Sequence, residues 1–272
     1  MNGFAGSLMG HLTAAVWVAL ALFFALLALY TLRVRKGLRL PQRGVSPYRR
    51  LPDLSERSTE TGAPVVTWLA SRAQDGAGPD TLAGVTLYDY VCRQAARADQ
   101  PAPLHTNSPV ALLLAMNALQ SHRERNGFHS SFQASDLQFT GTAPMALAAG
   151  VGVEPGPRQR AATLLAGTFE AEGLWLGSAM QDAQAPALSV PGEPLGDALV
   201  TLATAAESPS GRREQGSNST GSLLPGEDLY AAGAYLQRPQ ALASLLAEDA
   251  ARRLIIALIL IAVILTSLGY GG

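Results

Sequence analysis

The run Pro64-Val-Val-Thr-Trp-Leu-Ala70 is short, β-branched and aromatic, which marks a buried strand. A Gly-rich turn at Asp75–Pro79 follows it. From Leu82 to Ala98 the apolar residues Val85, Leu87, Tyr88, Val91, Cys92 and Ala95 then recur at helical spacing. Pro103–Asn107 (PLHTN) reads as a second short strand. It leads into an apolar helix at Pro109–His122, with proline in the first turn, where its missing N–H does least harm. Leu137–Thr140 (LQFT) reads as a third strand, with Thr142 capping a helix from Pro144 to Val151. Arg160–Gln181 reads as one long helix, Pro186–Val190 (PALSV) as a fourth strand and Asp197–Glu207 as a further helix. Strands alternating with helices of ten or more residues predict an α/β fold, a mainly parallel Rossmann-like sheet flanked by helices.

Both ends of the chain are apolar. Leu12–Leu32 (LTAAVWVALALFFALLALYTL) carries no charge and, as a helix, measures about 31 Å, which matches a hydrocarbon core of roughly 30 Å. Residues 1–11 hold no Lys or Arg, so a cleaved signal peptide does not fit. The run 254–270 begins with Leu254–Leu268 (LIIALILIAVILTSL) and follows Arg252 and Arg253. One transmembrane helix at each end is the expectation. Arg33, Arg35, Lys36, Arg39, Arg43, Arg49 and Arg50 follow the first run before any acid. By the positive-inside rule both spans place residues 33–253 in the cytoplasm and both termini outside. The sequence therefore predicts a two-pass protein of the bacterial inner membrane: an external tail (1–11), a span (12–32), a basic linker (33–50), an α/β domain (51–250) and a second span (254–270). Arg33, Arg35, Lys36 and Arg39 are the expected contacts to anionic lipid. In the first span Ala14, Ala21, Ala25 and Ala28 form a small-residue face suited to helix packing.

The formal net charge of -1 conceals an asymmetry, because all 21 acids fall between Asp53 and Asp249. Residues 51–250 carry a net charge of about -10. That excludes a globally basic nucleic-acid binder. Cys92 is the only cysteine, so neither an intramolecular disulfide nor a cysteine zinc site can form. Lys36 is the only lysine against 19 arginines, the mark of a GC-rich bacterial coding sequence. The Ser/Gly/Arg-rich stretch 208–222 reads as a flexible loop.

In an open parallel sheet, ligands bind beyond the carboxyl ends of the strands. Asn107 is the best-placed polar group there, and as a plain N-cap of the following helix it needs no ligand. Glu172 lies in an otherwise apolar helical stretch, where burial would demand a partner, while Glu170 faces elsewhere. Glu227, with Asp228, precedes a helix at Asp228–Leu236, where acids complement the helix dipole. Asn107, Glu172 and Glu227 are thus the candidate ligand-binding residues, and no catalytic residue, metal ligand or cofactor is assigned. The glycines at 150, 152 and 156 are wrongly spaced for a dinucleotide loop, and no P-loop is present. His11, His105, His122 and His129 form no compact metal motif, and Cys92 on an apolar helical face reads as core.

Three segments carry a resemblance: Gly226–Leu236 (GEDLYAAGAYL), Ala171-Glu172-Gly173-Leu174, and Thr106-Asn107-Ser108-Pro109. Together with the order of apolar run, basic linker, α/β domain and final apolar run, they resemble an uncharacterised family of bacterial two-span membrane proteins. That family is known only as a domain of unknown function. The resemblance covers most of residues 50–265, with 208–222 as a departure. It implies the two-span architecture with a cytoplasmic α/β domain and no assigned reaction. The expected function is a non-catalytic membrane-anchored scaffold or assembly subunit, with a homo-oligomer or a membrane complex as its setting. The alternative is a cytoplasmic-facing domain, tethered to the membrane, that binds a nucleotide-like small molecule or acts as an enzyme.

Overall fold

A computed structural model describes residues 2–36, 46–72, 76–127, 134–151, 160–182, 186–193, 195–196, 198, 228–236 and 239–267. The chain forms two compact units, Met1–Gln42 with Gln237–Gly272, and Arg43–Leu236.

The larger unit is built on five parallel strands: β1 (Val65–Ala70), β2 (Leu104–Thr106), β3 (Leu137–Phe139), β4 (Ala162–Gly167) and β5 (Ala187–Pro191). Their spatial order is β3-β2-β1-β4-β5, with Trp68 opposite His105 on one side and Leu165 on the other. The chain steps outward from β1 to β3 and then returns to the far side of β1. This is the doubly wound arrangement, and its switch point lies between β1 and β4. The α/β reading therefore holds.

Five helices belong with the sheet: α2 (Ser46–Thr61), α3 (Pro79–Arg97), α4 (Pro109–Arg125), α5 (Pro144–Val151) and α6 (Glu172–Asp182). Leu69 faces α3, and Trp68 on the opposite face joins Leu147, Leu165, Phe169 and Leu176 in one apolar cluster. Covered faces explain why the central strands are apolar throughout instead of alternating.

Two expectations fail here for identifiable reasons. The helix expected at 160–181 is β4, a loop and α6. The run ATLLAG is rich in helix-forming Ala and Leu, and a six-residue apolar run buried on both faces has no period to betray it. The linker expected to reach residue 50 is helical from Ser46 onward. Its buried stripe of Tyr48, Leu51, Leu54 and Ser58 straddles the boundary drawn at Leu51, so neither side alone shows a period. The segment Asp228–Leu236 is a 3-10 turn (Asp228–Ala231) running into a single helical turn, α7 (Ala232–Tyr235). Of the helix expected at 197–207 only Ala198 is described, and the loop 208–222 lies outside the described residues.

The smaller unit pairs α1 (Asn2–Arg35) with α8 (Pro239–Ser267). Residues 2–11 are helical and no tail, and α8 runs from Pro239 through the charged residues to Ser267 without a break. On α1 the half-buried positions are Leu26, Leu27, Tyr30, Thr31 and Val34, at helical spacing. Ala21, Ala25 and Ala28 are exposed, so bulky side chains make the packing face and the small-residue stripe does not.

Among the described residues, no helix is long and apolar enough to cross a membrane. This overturns the expectation of one spanning helix at each end. In α8 the charges Glu248, Asp249, Arg252 and Arg253 stand in mid-helix. The remaining run, Leu254 to Ser267, measures about 21 Å against roughly 30 Å of hydrocarbon. In α1 the described apolar side chains run from Trp17 to Leu32, about 24 Å on the same rise, before Arg33 and Arg35 close the helix.

Candidate functional site

The switch point gathers polar side chains across the carboxyl ends of β2, β1 and β4. The Ser71 N–H donates to Asn107 Oδ1 at 2.8 Å, and Asn107 Nδ2 donates to the Ser71 carbonyl at 2.9 Å. The Ser71 hydroxyl pairs with that of Thr81 at 2.6 Å. The Thr168 hydroxyl donates to Asp80 Oδ2 at 2.8 Å, and its N–H reaches the Ala70 carbonyl at 3.2 Å. All six of these residues are buried. At the rim, Arg72 pairs with Glu193 just beyond β5.

Asn107 is therefore a clamp and no helix cap. Its amide matches the peptide of Ser71 edge to edge and closes the end of β1, which supplies partners that buried backbone groups require. The cap of α4 is Ser108, whose hydroxyl accepts from the Ala111 N–H at 3.2 Å.

The chain's own Asp228–Leu236 segment occupies the space above this polar belt. Leu229 is fully buried, and a Cβ placed on Gly192 would meet Leu229 Cδ2 at 2.9 Å, Thr168 Oγ1 at 3.2 Å and Asp80 Cβ at 3.7 Å. Only glycine leaves that room. Tyr235 stacks on Tyr48 of α2, with ring centroids 4.9 Å apart and planes within 3°. The Tyr48 hydroxyl points to the Leu229 carbonyl at 3.5 Å. Among the described residues, Leu229 thus lies beside Gly192 and Thr168 at the carboxyl end of the sheet, where doubly wound folds take ligands.

Glu172 opens α6 and is buried, with Oε2 lacking a hydrogen-bond partner among the described residues, whereas Glu170 is exposed. Glu227 and His129 lie outside the described residues. His105 stacks face to face on Trp68 at 4.0 Å, inside the sheet layer. His122 pairs with Asp89 at 2.9 Å between α4 and α3. Burial pushes the Cys92 thiol up to about 12 and raises the Tyr88 phenol well above its ordinary value. At neutral pH Cys92 is a protonated thiol without nucleophilic character.

Sequence reasoning missed Asp80, Thr168, Ser71 and Thr81. Thr168 is hidden by the helical reading of β4. Asp80 was legible as an acid directly after Gly78-Pro79, at the start of the first crossover helix.

Residues 6–193 match a family described as Domain of unknown function (DUF6754). The chain belongs to that family. The match takes in most of α1 and the whole sheet, with the Thr106–Pro109 and Ala171–Leu174 segments inside it. Gly226–Leu236, which carries part of the resemblance, lies beyond it. No curated relative and no solved structure matches the chain.

Proposed function

We propose that this DUF6754 chain is a non-catalytic scaffold or assembly subunit, attached to the cytoplasmic face of a bacterial membrane through its pair of terminal helices. The observation that carries the reading is the apolar exposure of that pair. Trp17, Phe23, Phe24 and Leu32 on α1, and Ile255, Ile256, Ile259 and Leu260 on α8, are all exposed. Large exposed apolar surfaces mark sites that a partner or lipid covers. Exposed Arg33, Arg35 and Lys36 follow directly, with Arg39 next in sequence. Each basic residue near an anionic surface contributes about 1 kcal/mol.

Flotation of the full-length chain with vesicles tests the attachment. Recovery in the top fraction with phosphatidylglycerol-containing vesicles is expected, with a loss of about tenfold or more for the combined Arg33→Gln, Arg35→Gln and Lys36→Gln variant. A chain that stays at the bottom with both anionic and neutral vesicles contradicts it.

A second reading, a ligand-binding domain, is favoured by one observation, the buried Glu172 Oε2, which has no hydrogen-bond partner among the described residues. If Glu172 holds a ligand, Glu172→Gln abolishes a thermal shift given by that ligand. If the carboxylate is structural, the variant changes stability alone.

A further inference from the structure

We propose that β3 is a self-pairing edge: in the assembled protein the β3 strands of two copies meet antiparallel across a twofold axis and join their sheets into one. This rests on the assembly reading and deepens it, naming a second copy as the partner and β3 as the element at which the α/β units meet.

The two edges of the sheet are finished differently. Strand β5 ends on Pro191, which has no N–H to offer, and α2 and the Asp228–Ala231 turn pack against that strand. Proline and packed cover are the usual means of blunting an edge. At the opposite edge, β3 has one strand neighbour, β2, among the described residues. Leu137–Phe139 contains no charge and no proline, and both Gln138 and Phe139 are exposed. An open edge without those protections is a template for another strand.

The direction of the backbone groups fixes the pairing. The Thr140 N–H donates to the Thr106 carbonyl at 3.0 Å. Backbone groups alternate sides along a strand, so Gln138 also bonds toward β2, whereas the N–H and C=O of Leu137 and Phe139 point to the open side. Two copies placed antiparallel and centred on Gln138 then bond Leu137 of each to Phe139 of the other, which uses every outward group of the strand.

The side chains agree with that register. Leu137 opposes Phe139, apolar on apolar, and Gln138 meets its own copy through an amide that both donates and accepts. Asp136 falls opposite Thr140 instead of another acid. Such self-complementarity is what a twofold contact between identical surfaces needs, and it singles out a second copy over an unrelated strand. The neighbouring α4 packs on β3 and exposes Leu113 and Met116, which add apolar surface. Three residues of edge are too few to hold two chains by themselves. The helical pair supplies the proximity and β3 the orientation.

Disulfide trapping in the full-length chain, extracted in detergent, tests the proposal. Gln138 is exposed, so Gln138→Cys leaves the core untouched, and the buried Cys92 gives no background. Facing residues of a non-hydrogen-bonded antiparallel pair have Cα atoms about 4.5 Å apart, within the roughly 4.4–6.8 Å that a disulfide spans. On mild oxidation with diamide, Gln138→Cys should form covalent dimer at least about tenfold faster than Glu60→Cys, whose site on α2 is also exposed. Adding Phe139→Pro, which removes an outward N–H and no bond to β2, should abolish that advantage. Equal rates at the two sites, or an advantage that survives Phe139→Pro, overturns the proposal. Should Phe139→Pro fail to fold, the comparison of Gln138→Cys with Glu60→Cys still decides it. Native mass spectra of the reduced chain separate this failure from that of the assembly reading. An oligomer without the Gln138 advantage refutes β3 pairing alone, and a monomer with no co-purifying protein refutes both.

Discussion

The two units solve opposite problems with the same kind of side chain. In the α/β unit most large apolar residues are inside, and Leu229 is buried beside Gly192 at the carboxyl end of the sheet. In the helical pair, phenylalanines, isoleucines and a tryptophan of equal bulk are exposed over much of the described surface. Burying an apolar side chain contributes about 1.5–3 kcal/mol, so the first unit has spent that driving force on its own fold, while the second leaves these side chains uncovered, as the proposed association requires. Substitutions in the α/β unit should therefore act on stability, and those on the helical pair on company.

The largest effect is expected at Gly167. It sits at φ +112°, and a Cβ there would run into the Ala70 backbone at the switch point. Gly167→Ala should cost about 4 kcal/mol or more, read as loss of the cooperative urea transition. Next comes Asn107→Ala, which leaves the buried N–H and carbonyl of Ser71 unpaired. About 2–4 kcal/mol is expected in the same assay. Ser108→Ala should cost about 1 kcal/mol as a lost helix cap. If the order of these two is reversed, the clamp and cap assignments are wrong.

Alkaline pH sharpens the contrast from another side. The buried Cys92 thiol titrates near 12, above its ordinary value near 9, so in the folded state it stays protonated while the unfolded chain ionises. The folded form then holds the extra proton, and stability falls as pH rises from about 9 toward 12. Tyr88 acts in the same direction at the upper end. Cys92→Ala should flatten the lower part of that decline in urea titrations at stepped pH. The smallest stability change is expected on the helical pair. Phe23→Ser with Phe24→Ser should change the unfolding free energy of the α/β unit in urea by no more than about 0.5 kcal/mol while weakening association.

Legibility followed the same division. Val65–Ala70, Leu104–Thr106 and the proline-led α4 were readable because β-branched runs and helix starts leave local marks. Strand β4 left none, since Ala and Leu suit either state and burial on both faces erases the alternation. With β4 went the switch point itself, because the central place of β1 depends on it. Asn107 was correctly placed at a strand end, but its bonding to a residue 36 positions earlier is a tertiary fact that spacing does not encode. The apolar runs at the termini were visible as composition. What they pack against is not written there, and the exposed alanine face of α1 shows the cost of inferring a packing surface from residue size alone.

A native mass spectrum of the full-length chain, gently extracted in detergent, bears most directly on the claim that this protein assembles and does not catalyse. A defined oligomer or a co-purifying protein, lost when Phe23 and Phe24 become serine, is the predicted result. A monomer that carries a small-molecule adduct, lost on substitution of Glu172 and unaffected by changes on the helical pair, would contradict it.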